Sequence, residues 1–490
     1  MKIKIPVLLL TVSLMFSVSS CSSENNTDTT ATASGNTETV SPTSAREYIF
    51  PDENYANTPF TFLTWGQESI YWYERDYYAE SASADPIEDA VYRRNLNVEE
   101  KYGIEIRENR VDSPTEFTKT AIMSDTVDFD VIAYNIRELS SSAVNGYLVD
   151  LHEVDDLGLD NPWWDQPFNE SLTLEGKLFF ALGDINTQDN DATWAVLFNK
   201  QVVQDIVAED HYELVRNYKW TLDRFHELSR AAGKDLDGDG TLTPSDRVGT
   251  RLQYECSYAL LAASGEKTIR KDESDLPVVS IGGERAMNVM QKVYDFMNDA
   301  TAQIKADDPK FAPGHADIWT EINVNGFIEG RALYYISPMT SVMHLRNMEA
   351  DFGILPLPMY NEAQGKYYSP TQPGNTRSIS LPVSGADIER AGIVLNYLSY
   401  VSRDTLTAAY YNNQLKTKIT RDDESSEMLD IIFGSRAFDL GITFNWGDMQ
   451  GFYESAVKSQ SFDFTSRYEK AAPKFTSAIE QTLTNFQNNV

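Results

Sequence analysis

One run in the middle of the chain has the residue types and spacing to hold a divalent cation. In Asp235-Leu236-Asp237-Gly238-Asp239-Gly240-Thr241-Leu242-Thr243-Pro244-Ser245-Asp246, aspartates stand first, third and fifth, glycine sixth and a carboxylate last. Ca²⁺ takes about six to eight oxygen ligands, and a looped chain supplies them at this spacing. Asp235, Asp237 and Asp239 offer three oxygens, Thr241 a backbone carbonyl, and Thr243 a direct or water-bridged oxygen. Asp246 stands where a glutamate is usual, and its shorter arm reaches with one oxygen, which weakens the expected site. The expectation is a structural Ca²⁺ in a connection that continues as the extended run Val248–Leu252, not a signalling helix pair. The competing reading is an acidic, glycine-rich turn that binds nothing.

Aromatic residues are the second signal. Trp65, Tyr71, Trp72, Tyr73, Tyr77 and Tyr78 crowd one polar stretch, and Trp163 and Trp164 another. The apolar faces of sugar rings stack on flat side chains while their hydroxyls hydrogen-bond to carboxylates, amides and guanidinium groups, so a mixed pocket suits a carbohydrate. Read singly, each ring is as compatible with core packing. Signals for catalysis are weak. The five histidines, His152, His211, His226, His315 and His344, lack paired metal-ligand spacing, and no nucleophile elbow or phosphate loop occurs. Carboxylate pairs for glycoside hydrolysis are uninformative, because 74 acidic residues offer countless pairs.

The elements that must position these residues follow a mixed pattern. Pro59 to Trp65, Ile104 to Ile106, Asp128 to Tyr134, Gly176 to Ala181 and Trp194 to Asn199 read as strands. Asp85 to Tyr102, Trp220 to Ala232, Glu284 to Ala300, Ile388 to Val401 and Tyr468 to Phe486 read as amphipathic helices. Short apolar strands alternating with helices indicate an α/β fold, and the roughly 430 residues that follow the N-terminal region exceed what one core organises, so two lobes are expected.

The N-terminal region reads as an export and anchoring device. Lys2 and Lys4 precede an apolar run from Pro6 to Phe16, long enough for a signal core but too short for a membrane helix. Small residues then lead into Cys21, as in the lipobox of bacterial lipoproteins, so residues 1–20 are expected to be a signal peptide and Cys21 the lipidation site. An ordinary signal peptide with a chance cysteine is the alternative. Residues 21–56 are expected to be a lipidated, disordered Ser/Thr-rich tether holding a domain at the extracellular face of the cell membrane. With Cys21 lipidated, Cys256 has no disulfide partner. The formal net charge of −33 disfavours nucleic acid and anionic lipid and favours neutral or cationic ligands and divalent metals.

Four stretches together resemble the family of extracellular solute-binding proteins of ABC transporters (family 1, sugar-binding branch). They are Phe62 to Gly66; Phe129 to Ile132 followed by Asn145 to Leu151; Gly176 to Ala181 leading into Val196 to Lys200 and Trp220 to Phe225; and Phe327 to Leu333 followed by Asp351 to Pro358. The resemblance implies a two-lobed periplasmic-binding-protein-like fold (type II) with hinge strands and a central cleft. It puts hinge crossings near Ala181 to Asp184, Gln372 to Arg377 and Glu427 to Gly434. Lobe one is then 57–180 plus 375–430, and lobe two 185–370 plus 435–490. It implies a monomeric, non-enzymatic receptor that captures a carbohydrate, an oligosaccharide by expectation, and delivers it to ABC permease subunits. A surface glycan-degrading enzyme and a sensory or adhesive lipoprotein are the alternatives.

Ligands bind outside the carboxyl ends of strands in open α/β sheets. On that rule the candidate ligand contacts are Trp65, Glu68, Tyr134, Asn135, Arg137, Asp184 and Asn186. Trp194, Ser337 and Trp446 join them from lobe two, and Asn375 and Arg377 from the return crossing. Each is equally readable as an ordinary turn or core residue.

Overall fold

Phe60 and Phe62 point to one side of the first strand and Leu63 to the other, and all three are fully buried, so this strand is covered on both faces. The computed structural model describes residues 48–66, 75–206, 208–412 and 423–488. Cys21 and the rest of residues 1–47, together with Glu68 and the aromatic run Tyr71 to Tyr73, lie outside the described residues.

In chain order the strands are β1 (Thr58–Trp65), β2 (Ile104–Val111), β3 (Val131–Asn135), β4 (Trp194–Asn199), β5 (Val248–Leu252), β6 (Ile269–Lys271) and β7 (Pro277–Val279). They continue as β8 (Gln303–Lys305), β9 (Ala332–Pro338), β10 (Phe352–Leu355), β11 (Ser369–Pro370), β12 (Arg377–Ser380) and β13 (Arg436–Ala437). One sheet has the order β12-β3-β1-β2, with β1, β2 and β3 parallel and β12 antiparallel beside β3. The other has the order β10-β4-β9-β5-β8, in which β5 runs parallel to both β8 and β9 and β4 is antiparallel to both its neighbours. Two small pairs, β6 with β7 and β11 with β13, complete the set. Helices cover both large sheets, giving a two-lobed α/β architecture.

The helix boundaries have local causes. Pro86–Tyr102 starts where the Asp85 carboxylate accepts hydrogen bonds from the Ile87 and Glu88 N–H groups, with proline in the first turn. It stops at Gly103, whose φ of 57° is left-handed. Ile388–Ser402 packs on that helix and so completes the first lobe.

Three features differ from the sequence reading. Gly176 to Ala181 forms only isolated bridges and no continuous strand. Glu175 and Gly176 both have positive φ and fold the chain into a tight turn, and the end of the run reaches β12 through a bridge of Ala181 with Ile379 and a hydrogen bond from the Ser380 hydroxyl to the Phe179 carbonyl. The helix Asp423–Gly434 packs on β10, where Leu429, Ile432 and Phe433 join the core containing Phe352 and Ile354. The return to the second lobe thus comes before residue 430. The final helix, Phe464–Asn488, reaches back to the first lobe: the Lys177 ammonium donates to the Phe486 carbonyl at 3.0 Å, and the Asn485 amide to the Val144 carbonyl at 3.2 Å.

The lobes meet along apolar surface. Ile87 and Val91 from the first helix belong to one buried cluster with Ala195, Leu197 and Tyr335 of the second sheet. Among the described residues no helix is long and apolar enough to cross a membrane.

Candidate functional site

Strands β1 and β3 run in the same direction, and β12 runs against them, so Trp65, Tyr134 and Arg377 are brought to a single edge of the first sheet. The Arg377 guanidinium lies 5.3 Å from the Trp65 ring centre and 5.8 Å from that of Tyr134. The two rings are tilted by 37° with centroids 6.2 Å apart. Trp65 and Tyr134 are half-buried, whereas Arg377 is buried and donates to the Gly374 carbonyl at 3.1 Å. This is an aromatic surface backed by a fixed cation, and its rings remain partly open.

Beside it is a cavity of about 50 Å³ lined by Arg75, Gln188, Asp191, Thr340, Met343, Asn375 and Arg377. These residues come from the segment after β1, the first crossing, the end of β9 and the return crossing, so the cavity lies between the lobes. Asp191 organises it. Its carboxylate accepts hydrogen bonds from Arg75 Nη2 at 2.6 Å and from the Tyr410 hydroxyl at 2.8 Å, while its carbonyl accepts one from the Thr340 hydroxyl at 2.8 Å. Burial raises the Asp191 pKa, with the Arg75 charge opposing the shift.

A second polar group adjoins the same turn, where the Asn375 N–H donates to the Gln372 carbonyl. The Gln372 side-chain amide donates to the Glu255 carboxylate at 3.1 Å. Burial pushes Glu255 up to about 7; the Gln372 hydrogen bond pulls it down, Glu454 and Asp307 push it further up, and Arg137 opposes them. Arg137 itself donates to the Ile442 carbonyl at 3.0 Å and to Gln450 Oε1 at 2.7 Å, tying the first lobe to the C-terminal segment.

The other residues named from sequence lie in different settings. Asn135 uses its side-chain oxygen to cap the helix Ile136–Val144, accepting from the Glu138 N–H at 3.0 Å. Asn186 is buried and donates to the Arg377 carbonyl at 3.3 Å. Ser337 is buried, with its hydroxyl against that of Ser341. Trp194 opens β4 opposite Pro338, and its indole N–H is buried without a hydrogen-bond partner among the described residues. Trp446 stacks on Phe444 with centroids 4.9 Å apart and donates to the Thr482 hydroxyl, under the final helix and away from the cavity. Asp184 faces a separate groove of about 490 Å³ with Trp163, Trp164, Tyr411 and Arg436. There it accepts from the Thr407 hydroxyl at 3.1 Å, lies 3.5 Å from Arg403, and is raised to about 6 by burial.

The sequence reading did not name Arg75, Gln188, Asp191, Glu255, Thr340 or Met343, and named Gln372 only as the start of the return crossing. The run Thr187 to Asp191, polar yet just ahead of a wholly buried, mostly apolar strand, is the legible sign, since a buried polar run needs internal partners.

In the acidic loop, the side-chain oxygens of Asp235, Asp237 and Asp239 all lie within 4.8 Å of one another. Asp235 accepts from the Gly238 and Gly240 N–H groups, and both glycines have left-handed φ. Asp239 accepts from the Thr241 N–H. Asp246 accepts from the Leu236 N–H through one oxygen and from the Thr243 N–H and hydroxyl through the other. Three carboxylates therefore fit a shared cation, while Thr243 and Asp246 are turned towards each other. Cys256 is buried and free.

No family model matches the sequence, and no curated protein matches it. Solved structures share its fold. A sugar-binding protein from the phytopathogen Xanthomonas citri aligns with a TM-score of 0.57 at 14% identity, over 88% of this chain and 99% of that one. A cyclic alpha-maltosyl-1,6-maltose binding protein from Arthrobacter globiformis gives 0.57 at 12% identity, over 86% and 99%. A family 1 extracellular solute-binding protein from Bifidobacterium longum subsp. infantis gives 0.55 at 13% identity, over 86% and 100%.

Proposed function

We propose that this chain is the extracellular solute-binding receptor of an ABC importer, capturing a carbohydrate between its two lobes and handing it to membrane permease subunits. The observation that carries this reading is the surface formed by Trp65, Tyr134 and Arg377 beside the interlobe cavity. Rings that are half-open on one side and held by a cation on the other present flat apolar faces to a sugar, and Gln188, Asn375 and Asp191 supply hydrogen-bonding groups beside them. Similar folds are seen in a sugar-binding protein and in a cyclic alpha-maltosyl-1,6-maltose binding protein, which supports the ligand class.

Ligand bridging the two lobes stabilises the closed arrangement by its differential affinity for it. Binding without turnover is the role we assign. The chain is a monomer in this reading, held at the outer membrane face through a lipid on Cys21, with Ca²⁺ as a structural ion at Asp235, Asp237 and Asp239. A panel of neutral oligosaccharides tests it. The bound sugar compacts the protein in small-angle scattering and is recovered chemically intact. Recovery of cleaved sugar makes the protein a glycan-degrading enzyme instead.

A further inference from the structure

A groove of about 600 Å³ runs along the edge strand β8 and is closed on its other side by the end of the helix Met449–Lys458. In a chain of formal net charge −33, three lysines line it: Lys305, Lys310 and Lys458. The Lys305 and Lys458 ammonium groups lie 5.5 and 4.6 Å from the centre of the Tyr254 ring. Lys458 pairs with Glu454 at 3.1 Å and Lys310 with Asp308 at 3.6 Å, both through exposed ammonium groups that are easily redirected. Lys305 is different. It is only 8% exposed, it makes no ion pair among the described residues, and its hydrogen bond goes to the Met297 carbonyl.

A buried ammonium needs charge or several acceptors around it. Burial lowers the Lys305 pKa to about 8, against the pull of Asp308 and Asp307, so the group remains mostly protonated at neutral pH. Gln303 lines the same groove, and its side-chain oxygen is buried with no partner among the described residues. Asp308 also lines the groove, and the three ammonium groups outnumber this one carboxylate, which matches an anion. The groove also has a functional position. Strands β5 and β8 are parallel, and Tyr254 and Lys305 lie at or just beyond their carboxyl ends, the edge of a sheet where ligands bind.

We propose that this groove binds an anionic substituent of a saccharide, such as a uronate carboxylate, between Lys305, Lys310 and Lys458. The proposal rests on the receptor reading and narrows its ligand class to acidic glycans, against the trend of the overall charge.

Calorimetric titration of the full chain in calcium-free, low-salt buffer tests it, with tetragalacturonate and its methyl ester as probes. The acid binds at least roughly tenfold tighter than the ester, the scale of a close charge pair. The double variant Lys310→Gln/Lys458→Gln, which alters exposed side chains only, loses most of that preference and keeps its affinity for the ester. Lys305→Gln acts in the same direction. Equal binding of acid and ester, or an undiminished preference in the double variant, overturns the anion site. Saccharide binding that survives either result and is lost in Trp65→Ala leaves the receptor reading standing. If neither probe binds while a neutral oligosaccharide does, the anion site fails alone.

Discussion

The Arg377 guanidinium sits 5.3 Å from the centre of the Trp65 ring, although the two residues are separated by almost the whole second lobe in sequence. The cation braces one part of the ring system while the half-buried remainder stays open. Trp65→Ala should leave the fold intact and weaken sugar binding by about 1–3 kcal/mol, the scale for burying one large side chain. That is roughly a ten- to hundredfold rise in Kd. Tryptophan fluorescence titration measures it; an unchanged Kd puts the sugar elsewhere.

Glu255 makes stability depend on pH. Its folded pKa of about 7 exceeds the ordinary carboxylate value, so the native state holds a proton that the unfolded state has already lost. Stability from this group is therefore greatest below about pH 4.5 and declines as pH rises towards 7. Melting temperature should fall across that window, and Glu255→Gln should flatten the fall. Identical slopes in the two proteins would remove Glu255 as the cause.

The acidic loop predicts metal sensitivity. Extracellular Ca²⁺ modules bind at about 10⁻⁴–10⁻³ M, so several millimolar Ca²⁺ should add about 1–2 kcal/mol of stability by mass action. EDTA should lower the Tm of Ca²⁺-loaded protein, and Asp237→Ala should abolish the response. A loaded wild type indifferent to EDTA refutes the site.

Cys21 predicts location. Cys21→Ala should either release the protein from the membrane fraction or leave it unprocessed. Normal processing and retention of the variant end the lipid-anchor reading.

Strand-end position picked out Trp65 and Tyr134, because a parallel sheet directs its carboxyl ends to one edge, whereas Arg377, at the start of an antiparallel strand, entered only through the return crossing that the family resemblance implies. The same rule also selected Asn135, whose side chain is consumed as a helix cap, and Trp446, which packs under the final helix. Strand-end position says where a residue stands but not which neighbour competes for it. Thr340 gave no sign in the sequence, and the polar run that holds Asp191 showed that partners were needed without showing which. Their meaning depends on Arg75 and Tyr410, which reach them from distant parts of the chain.

The pairing of β12 with β3 has a consequence for how the protein is made. Arg377 lies opposite Asn135, so the first sheet cannot close until roughly 240 further residues have been produced and the chain has returned. Until then β3 is an open edge of buried, apolar sequence, the kind of surface that recruits unwanted strands. Long-range closure of this sort is slow to form. A holding factor or delayed compaction would protect that edge, and truncations ending before Ser380 should aggregate even though every residue of the second sheet is present.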